Sequence, residues 1–236
     1  MKKITSILFL VFSMMGSAWA AINQQCPHHT AFGAPVYQAR AGDQEICKLN
    51  YAVVHSCQFK NPVAVMEHIT TADISGPAKR RDDFREDPAV TPECRSRLPD
   101  YAGNPYDRGH MSAAAGNTQT PEIMSESFFL SNMVPQVPNN NRGIWRILEM
   151  QIRDQVARTG QDLYVVSGAI FAPGHTKIGN GVAVPTHLYK VIINRQSGNV
   201  TAYLMPNAAI PVADLPNYRT SLQAVEQATG MRFPVK

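Results

Sequence analysis

Apolar and polar positions divide this chain into a leading apolar block and a longer stretch of short alternating runs. Ile4 to Met15 is mostly apolar and follows Met1-Lys2-Lys3. It is too short to cross a bilayer comfortably, which takes about 20 apolar residues. Ala18-Trp19-Ala20 then places small residues where a signal peptidase reads, which predicts an export signal over residues 1–20. Residues 26–41 look irregular, with Pro27, Gly33 and Pro35. Tyr51 to Cys57 and Ala64 to Thr70 read as strands, and the polar stretch from Ser75 to Arg97, broken by Pro77, Pro88 and Pro92, reads as a loop. Pro121 to Ser127 predicts a short helix and Phe128 to Leu130 a buried strand. Ile144, Trp145, Leu148, Ile152 and Val156 recur near helical spacing, which predicts a helix over Asn141 to Arg158 with Trp145 in the core. Pro138-Asn139-Asn140 supplies stop-and-cap chemistry before it. Asp162 to Ile170, His187 to Asn194 and Thr201 to Pro206 read as strands, and Asp214 to Gly230 as a last helix. The mixture predicts an α+β class, a largely antiparallel central sheet flanked by helices, as one domain over residues 21–236.

Charge adds little to this picture. The chain has 22 basic and 18 acidic side chains, a formal charge of +4. Loss of residues 1–20 would remove Lys2, Lys3 and no acid, leaving +2. A protein that holds DNA statically usually carries a stronger basic excess, so any case for nucleic acid must rest on a site. The cysteines are more informative. Cys26, Cys47, Cys57 and Cys94 are an even set in a chain read as exported, so two disulfides are expected, with all three pairings open. No two lie close enough in sequence for a usual zinc motif. Export itself implies a periplasmic or secreted protein.

The chemistry concentrates in Asp107-Arg108-Gly109-His110 and the forty residues after it. An imidazole with a solution pKa of about 6.5 is largely neutral at pH 7 and can accept a proton. Gly109 removes bulk beside it, Asp107 and Arg108 put opposite charges on one turn, and Ala113-Ala114-Ala115-Gly116 leaves the surface uncluttered. Arg108, and Arg80 in the run Arg80-Arg81-Asp82-Asp83-Phe84-Arg85, are candidates to bind phosphate through paired guanidinium donors. That loop also reads as a solvated one, since Lys79 to Arg97 holds six basic and five acidic residues. Asn139 to Asn141 suits helix capping, yet a lone Asn oxygen also suits Mg²⁺, which keeps most of its waters. Glu149 lies eight residues further on. On an ideal helix that is about 80° of rotation and about 12 Å of rise, awkward for two ligands on one small ion.

Taken together, Asp107-Arg108-Gly109-His110, Asn132-Met133-Val134-Pro135-Gln136 and Asn141-Arg142-Gly143-Ile144-Trp145 resemble the DNA/RNA non-specific endonucleases, a ββα-metal (His-Me finger) family. The resemblance is dense from Arg80 to Glu149 and looser from residue 33 to 210. It implies a ββα-metal motif on the sheet, with His110 taking a proton from water and Asn141 holding Mg²⁺, for which Mn²⁺ can substitute. Glu149 would hold a water beside the ion, Arg108 and Arg80 would meet the phosphate, and Asp107 and Asn132 would support the site. A backbone carbonyl bonded to one ring nitrogen would fix the His110 tautomer. The implied activity is cleavage of DNA and RNA with little sequence preference, leaving 5′-phosphates. Two rivals share these residues: a nucleic-acid-binding homologue without catalysis, and a nuclease toxin with a dedicated inhibitor protein.

Overall fold

The computed structural model describes residues 20–32 and 34–235; the expected export signal lies outside them except for Ala20. Five α-helices run in chain order as α1 (Ala20–Gln25), α2 (Thr71–Ile74), α3 (Pro121–Glu126), α4 (Arg146–Thr159) and α5 (Leu222–Thr229). The strands are β1 (Gln44–Cys47), β2 (Ala52–Ser56), β3 (Asn61–Ile69), β4 (Asp107–His110), β5 (Met133–Gln136), β6 (Leu163–Ile170), β7 (Lys177–Ile178), β8 (Val182–Ala183), β9 (His187–Asn194), β10 (Val200–Pro206) and β11 (Arg219–Thr220).

Seven strands form one sheet in the order β1-β2-β3-β6-β9-β10-β11, with every neighbouring pair antiparallel. Strand alternation sends its side chains into two cores. Val53, Val65, Leu163, Val165, Leu188 and Ile192 pack on one face against Trp145, Leu148, Ile152 and Val156 of the long helix segment. Val54, Ala64, Met66, Tyr164, Val166, Val191 and Ile193 pack on the other against Ile22, Val225 and Phe233. The expected α+β class and the periodic stripe of α4 are both observed, and Trp145 is core.

Three expected elements differ. Phe128 to Leu130 is not a strand: Phe129 makes one isolated bridge to Arg85, and a 3-10 turn follows at Leu130–Asn132. A short apolar run is buried equally well in a turn whose polar groups find partners: the Leu130 amide donates to the Arg85 carbonyl at 2.9 Å, the Arg85 amide to the Phe128 carbonyl at 3.3 Å and the Asn132 amide to the Phe129 carbonyl at 2.9 Å. The segment Asp214 to Gly230 is split. Pro216 sits in a 3-10 turn over Val212–Tyr218, β11 pairs with Ala202 and Tyr203, and only α5 is α-helical. Proline has no amide to continue an α-helix, and Ser221 starts afresh by accepting from the Ala224 amide at 3.1 Å. Finally, the expected helix from Asn141 begins as a π-type turn, Asn140–Trp145, broken at Gly143 (φ −104°, ψ −107°).

The disulfides are Cys26–Cys47 and Cys57–Cys94. The second joins the end of β2 to the long polar loop, which His55 also grips through a 3.0 Å contact between Nε2 and the Cys94 carbonyl. Peptide mapping of the oxidised chain should recover these two links. Replacing Cys57 and Cys94 by Ala should lower unfolding stability by about 2–4 kcal/mol, read by denaturant titration, because the bridge closes a long loop.

Candidate active site

β4 and β5 form a separate two-stranded ladder, pairing Asp107 with Gln136, Arg108 with Pro135, Gly109 with Val134 and His110 with Met133. Asp107 and Arg108 therefore do not share a turn, as their adjacency suggested; successive side chains on a strand face opposite ways. Arg108 and His110, two apart, share a face. A Cβ on Gly109 would fall 1.9 Å from Gln136 Oε1, so only glycine lets the ladder close here.

The His110 ring packs against Phe128, with centroids 5.0 Å apart, and Phe84, at 5.7 Å. The Arg108 guanidinium lies 4.2 Å over the Phe84 ring and that of Arg80 5.1 Å over Phe128. These rings also touch each other at 5.0 Å. The imidazole thus stands half-buried among apolar edges with two cations beside it. Burial first, then Arg80 and Arg108, push its pKa down to about 3. At neutral pH it is an uncharged base. The expected carbonyl bond to the ring is not observed: Nε2 is buried with no hydrogen-bond partner among the described residues. Phe84 and Phe128 hold the ring instead, and the Trp145 indole N–H holds its backbone, donating to the His110 carbonyl at 3.1 Å.

Asp107 faces the helix side. Its carboxylate accepts from Asn141 Nδ2 at 2.9 Å and from Arg142 Nε and a terminal nitrogen at 2.8 and 2.6 Å. Asp107 thus ties the β4 strand to Asn141 and Arg142. Burial opposes ionisation of Asp107, yet the bonds from Arg142 and Asn141 win and hold it below the ordinary carboxylate range. A carboxylate can only accept, so the Asn141 amide nitrogen must face Asp107, which leaves the amide oxygen for another partner. The segment before it is clamped as well. Gln136 Nε2 donates to Asn140 Oδ1 at 2.8 Å, Asn140 Nδ2 to the Pro206 carbonyl at 3.1 Å, and the Val137 amide to Asn207 Oδ1 at 2.9 Å.

Asn132 braces Ser112, two residues beyond His110. Its oxygen accepts from the Ser112 amide at 2.8 Å, and its nitrogen donates to the Ser112 and Ser127 carbonyls, both at 2.9 Å. It pins the chain just past His110.

All five candidate reactants line one trough of about 640 Å³: Arg80, Arg108, His110, Asn141 and Glu149. Because the π-type turn lies between Asn141 and Glu149, ideal-helix spacing does not describe their separation. Glu149 Oε1 is buried and accepts no hydrogen bond. A carboxylate oxygen that accepts no hydrogen bond among the described residues and the Asn141 amide oxygen turned away from Asp107 are both hard oxygen donors, which fits a divalent cation held by Asn141 with Glu149 beside it. A neutral base, two guanidiniums and such a donor pair can together bind a phosphodiester and activate water.

Residues 28–235 match the DNA/RNA non-specific endonuclease family. The chain belongs to that family. It is 35% identical to the human mitochondrial nuclease EXOG over 237 aligned residues, covering 92% of this chain and 61% of that protein. It therefore spans about three fifths of that relative's length. It is 34% identical to human mitochondrial endonuclease G, covering 78% of this chain and 67% of that one. Nuclease C1 of the fungus Cunninghamella echinulata is 40% identical over 71% of this chain and 73% of its own. A crystal structure of an EndoG/EndoGI complex, concerned with EndoG inhibition, superposes with a TM-score of 0.78 at 29% identity, covering 90% of this chain and 91% of that one.

This non-specific endonuclease family member carries more of its site on the helix than the motifs suggested. Arg142, Arg146 and Arg153 also line the trough, as do Tyr101 and Tyr106. Positions 146, 149 and 153 are spaced by three and four, a face of α4 that the sequence pattern already contains. The tyrosines carry no such signal.

Two outcomes follow. As pH falls, the unfolded chain protonates this histidine near 6.5 while the folded ring resists until about 3. Its contribution to stability is thus full above the unfolded value and is lost toward the folded one. Imidazole NMR should show no His110 protonation step near neutrality; an ordinary titration would mean the ring is wet. Replacing Asp107 by Ala should free the Asn141 amide and weaken divalent-cation binding about tenfold or more, measured by calorimetry.

Proposed function

We propose that this protein is an exported, divalent-metal-dependent endonuclease that hydrolyses DNA and RNA with little sequence preference and leaves 5′-phosphates. The observation that carries the reading is the neutral His110 ring set among cations in the same trough as Asn141 and Glu149. Family membership supports it, as do relatives that are themselves nucleases.

In the proposed reaction His110 takes a proton from a water lined up behind phosphorus. The new O–P bond forms as the bond from phosphorus to the 3′ oxygen breaks. A second water, oriented by Glu149, protonates the departing 3′ oxygen. Arg108 and Arg80 meet the extra negative charge on phosphorus, and they accelerate the step insofar as they fit that state better than the substrate. Asn141, with Glu149 beside it, would hold Mg²⁺, or Mn²⁺ in its place, and a cation bound there supplies positive charge to the crowded phosphate. Asp107 and Asn132 hold Asn141 and the His110 strand in place.

Low sequence preference follows from the lining. Guanidiniums and oxygen donors address phosphate, which all nucleotides share, whereas base edges carry the code. Arg146 and Arg153 extend the phosphate-binding face along α4. A catalytically silent homologue is the weaker reading, since each expected reactant lines the trough. A protein inhibitor covering the trough is part of the proposal, favoured by the solved relative, which is an inhibitor complex. Residues 1–20 are the proposed export signal, and the even cysteine set suits a periplasmic or extracellular destination.

The purified protein should digest plasmid DNA and RNA with Mg²⁺ and stop in EDTA. His110→Ala should cut the rate about a hundred- to ten-thousandfold while the fold persists. Near-native cleavage by that variant, with circular dichroism unchanged, would remove the imidazole from the mechanism.

A further inference from the structure

Lys190 stands where packing alone would put an apolar residue. On β9 its same-face neighbours Leu188 and Ile192 belong to the core under α4, and Lys190 between them is 1% exposed. Burying an ammonium is costly unless its contacts compensate. Ser167, directly opposite on β6, accepts a hydrogen bond from it at 2.6 Å, and the Met111 carbonyl accepts another at 3.3 Å. The ammonium also lies 4.4 Å over the Trp145 ring and 3.9 Å from Glu149 Oε1.

Three of these four partners belong to the site. Met111 follows His110 in the chain. Trp145 donates its indole N–H to the His110 carbonyl. Glu149 lines the trough. Lys190 is thus a tie from the sheet to both the strand that carries the base and the helix that carries the acid. Glu67, on β3 and 5% exposed, completes the buried group; it accepts from the Ser112 hydroxyl at 2.7 Å.

We propose that Lys190 is a positioning residue of the nuclease site, holding the Glu149 carboxylate aimed into the trough and locking the start of α4 to the His110 strand. The proposal rests on the nuclease reading above. Electrostatics agree with it. Burial pushes Glu149 up, while Lys190 and then Arg153 pull it back toward the charged form. Arg80 faces it from the loop and pulls the same way, whereas Glu67 is a like charge from β3. Burial likewise pushes Lys190 down, and Glu149 and Glu67 draw it back.

The test is Lys190→Met, which keeps the length of the side chain and removes its charge. Turnover at neutral pH should fall about ten- to a hundredfold with little change in KM. Lys190→Arg, which restores a cation at the same place, should recover part of the lost rate. A crystal structure of Lys190→Met should show the Glu149 carboxylate displaced from its wild-type position in the trough. Ser167→Ala should act in the same direction and less. If Lys190→Met does not fold, the Glu67→Gln/Lys190→Met pair removes one buried charge of each sign and takes the same measurements. A wild-type protein that cleaves nothing overturns the nuclease reading. An active wild type whose charge-deleted variant folds and keeps both its rate and its Glu149 position overturns this proposal alone.

Discussion

The Asp107 carboxylate takes hydrogen bonds from Asn141 and Arg142 at once, and so fixes a two-stranded ladder against the first turn of a helix. Everything proposed for the trough depends on that junction. The ladder carries Arg108 and His110 on one face, and the helix carries Asn141, Glu149 and the arginine row. Separated by more than thirty residues of chain, the two halves meet at the Trp145 bond to the His110 carbonyl and at this acidic side chain, which also decides which way the Asn141 amide points. The Gln136, Asn140 and Asn207 clamp behind it keeps the connecting segment from shifting.

A second constraint is electrical. The site gathers cations around an imidazole that, on the nuclease reading, must stay uncharged, and it does so by setting the ring among Phe84 and Phe128. Those same rings carry the guanidiniums on their faces, so apolar packing and charge placement are one arrangement. Beneath, Lys190 and Glu67 bring opposite charges into the floor of the site. A trough this basic attracts polyanions, while its histidine remains ready to accept a proton.

Much of this was legible in the residues. The alternation of β6 and β9, the stripe of α4 and the segment from Asp107 to Glu149 each carry a repeating or local signal, and the family resemblance picked out residues that the fold then brought to one trough. What escaped reading was non-local. Nothing near Asp107 announces that its partners are Asn141 and Arg142. Phe128 reads as strand because burial is all that a short apolar run encodes. Pro216 is a visible break inside the segment that reads as the last helix. Lys190 was visible too, a charge between Leu188 and Ile192 on a strand otherwise buried, but its meaning required knowing that Met111, Trp145 and Glu149 lie above it. The disulfide pairing likewise depended on which strand ends lie together.

The junction at Asp107 has a bearing on when the protein becomes dangerous to its maker. Neither the ladder nor the helix turn holds a complete set of reacting groups, and they come together only once the seven-stranded sheet has brought their supports into register. On the nuclease reading, a nascent or still-threaded chain is chemically harmless, and the hazard to nucleic acid begins where folding ends.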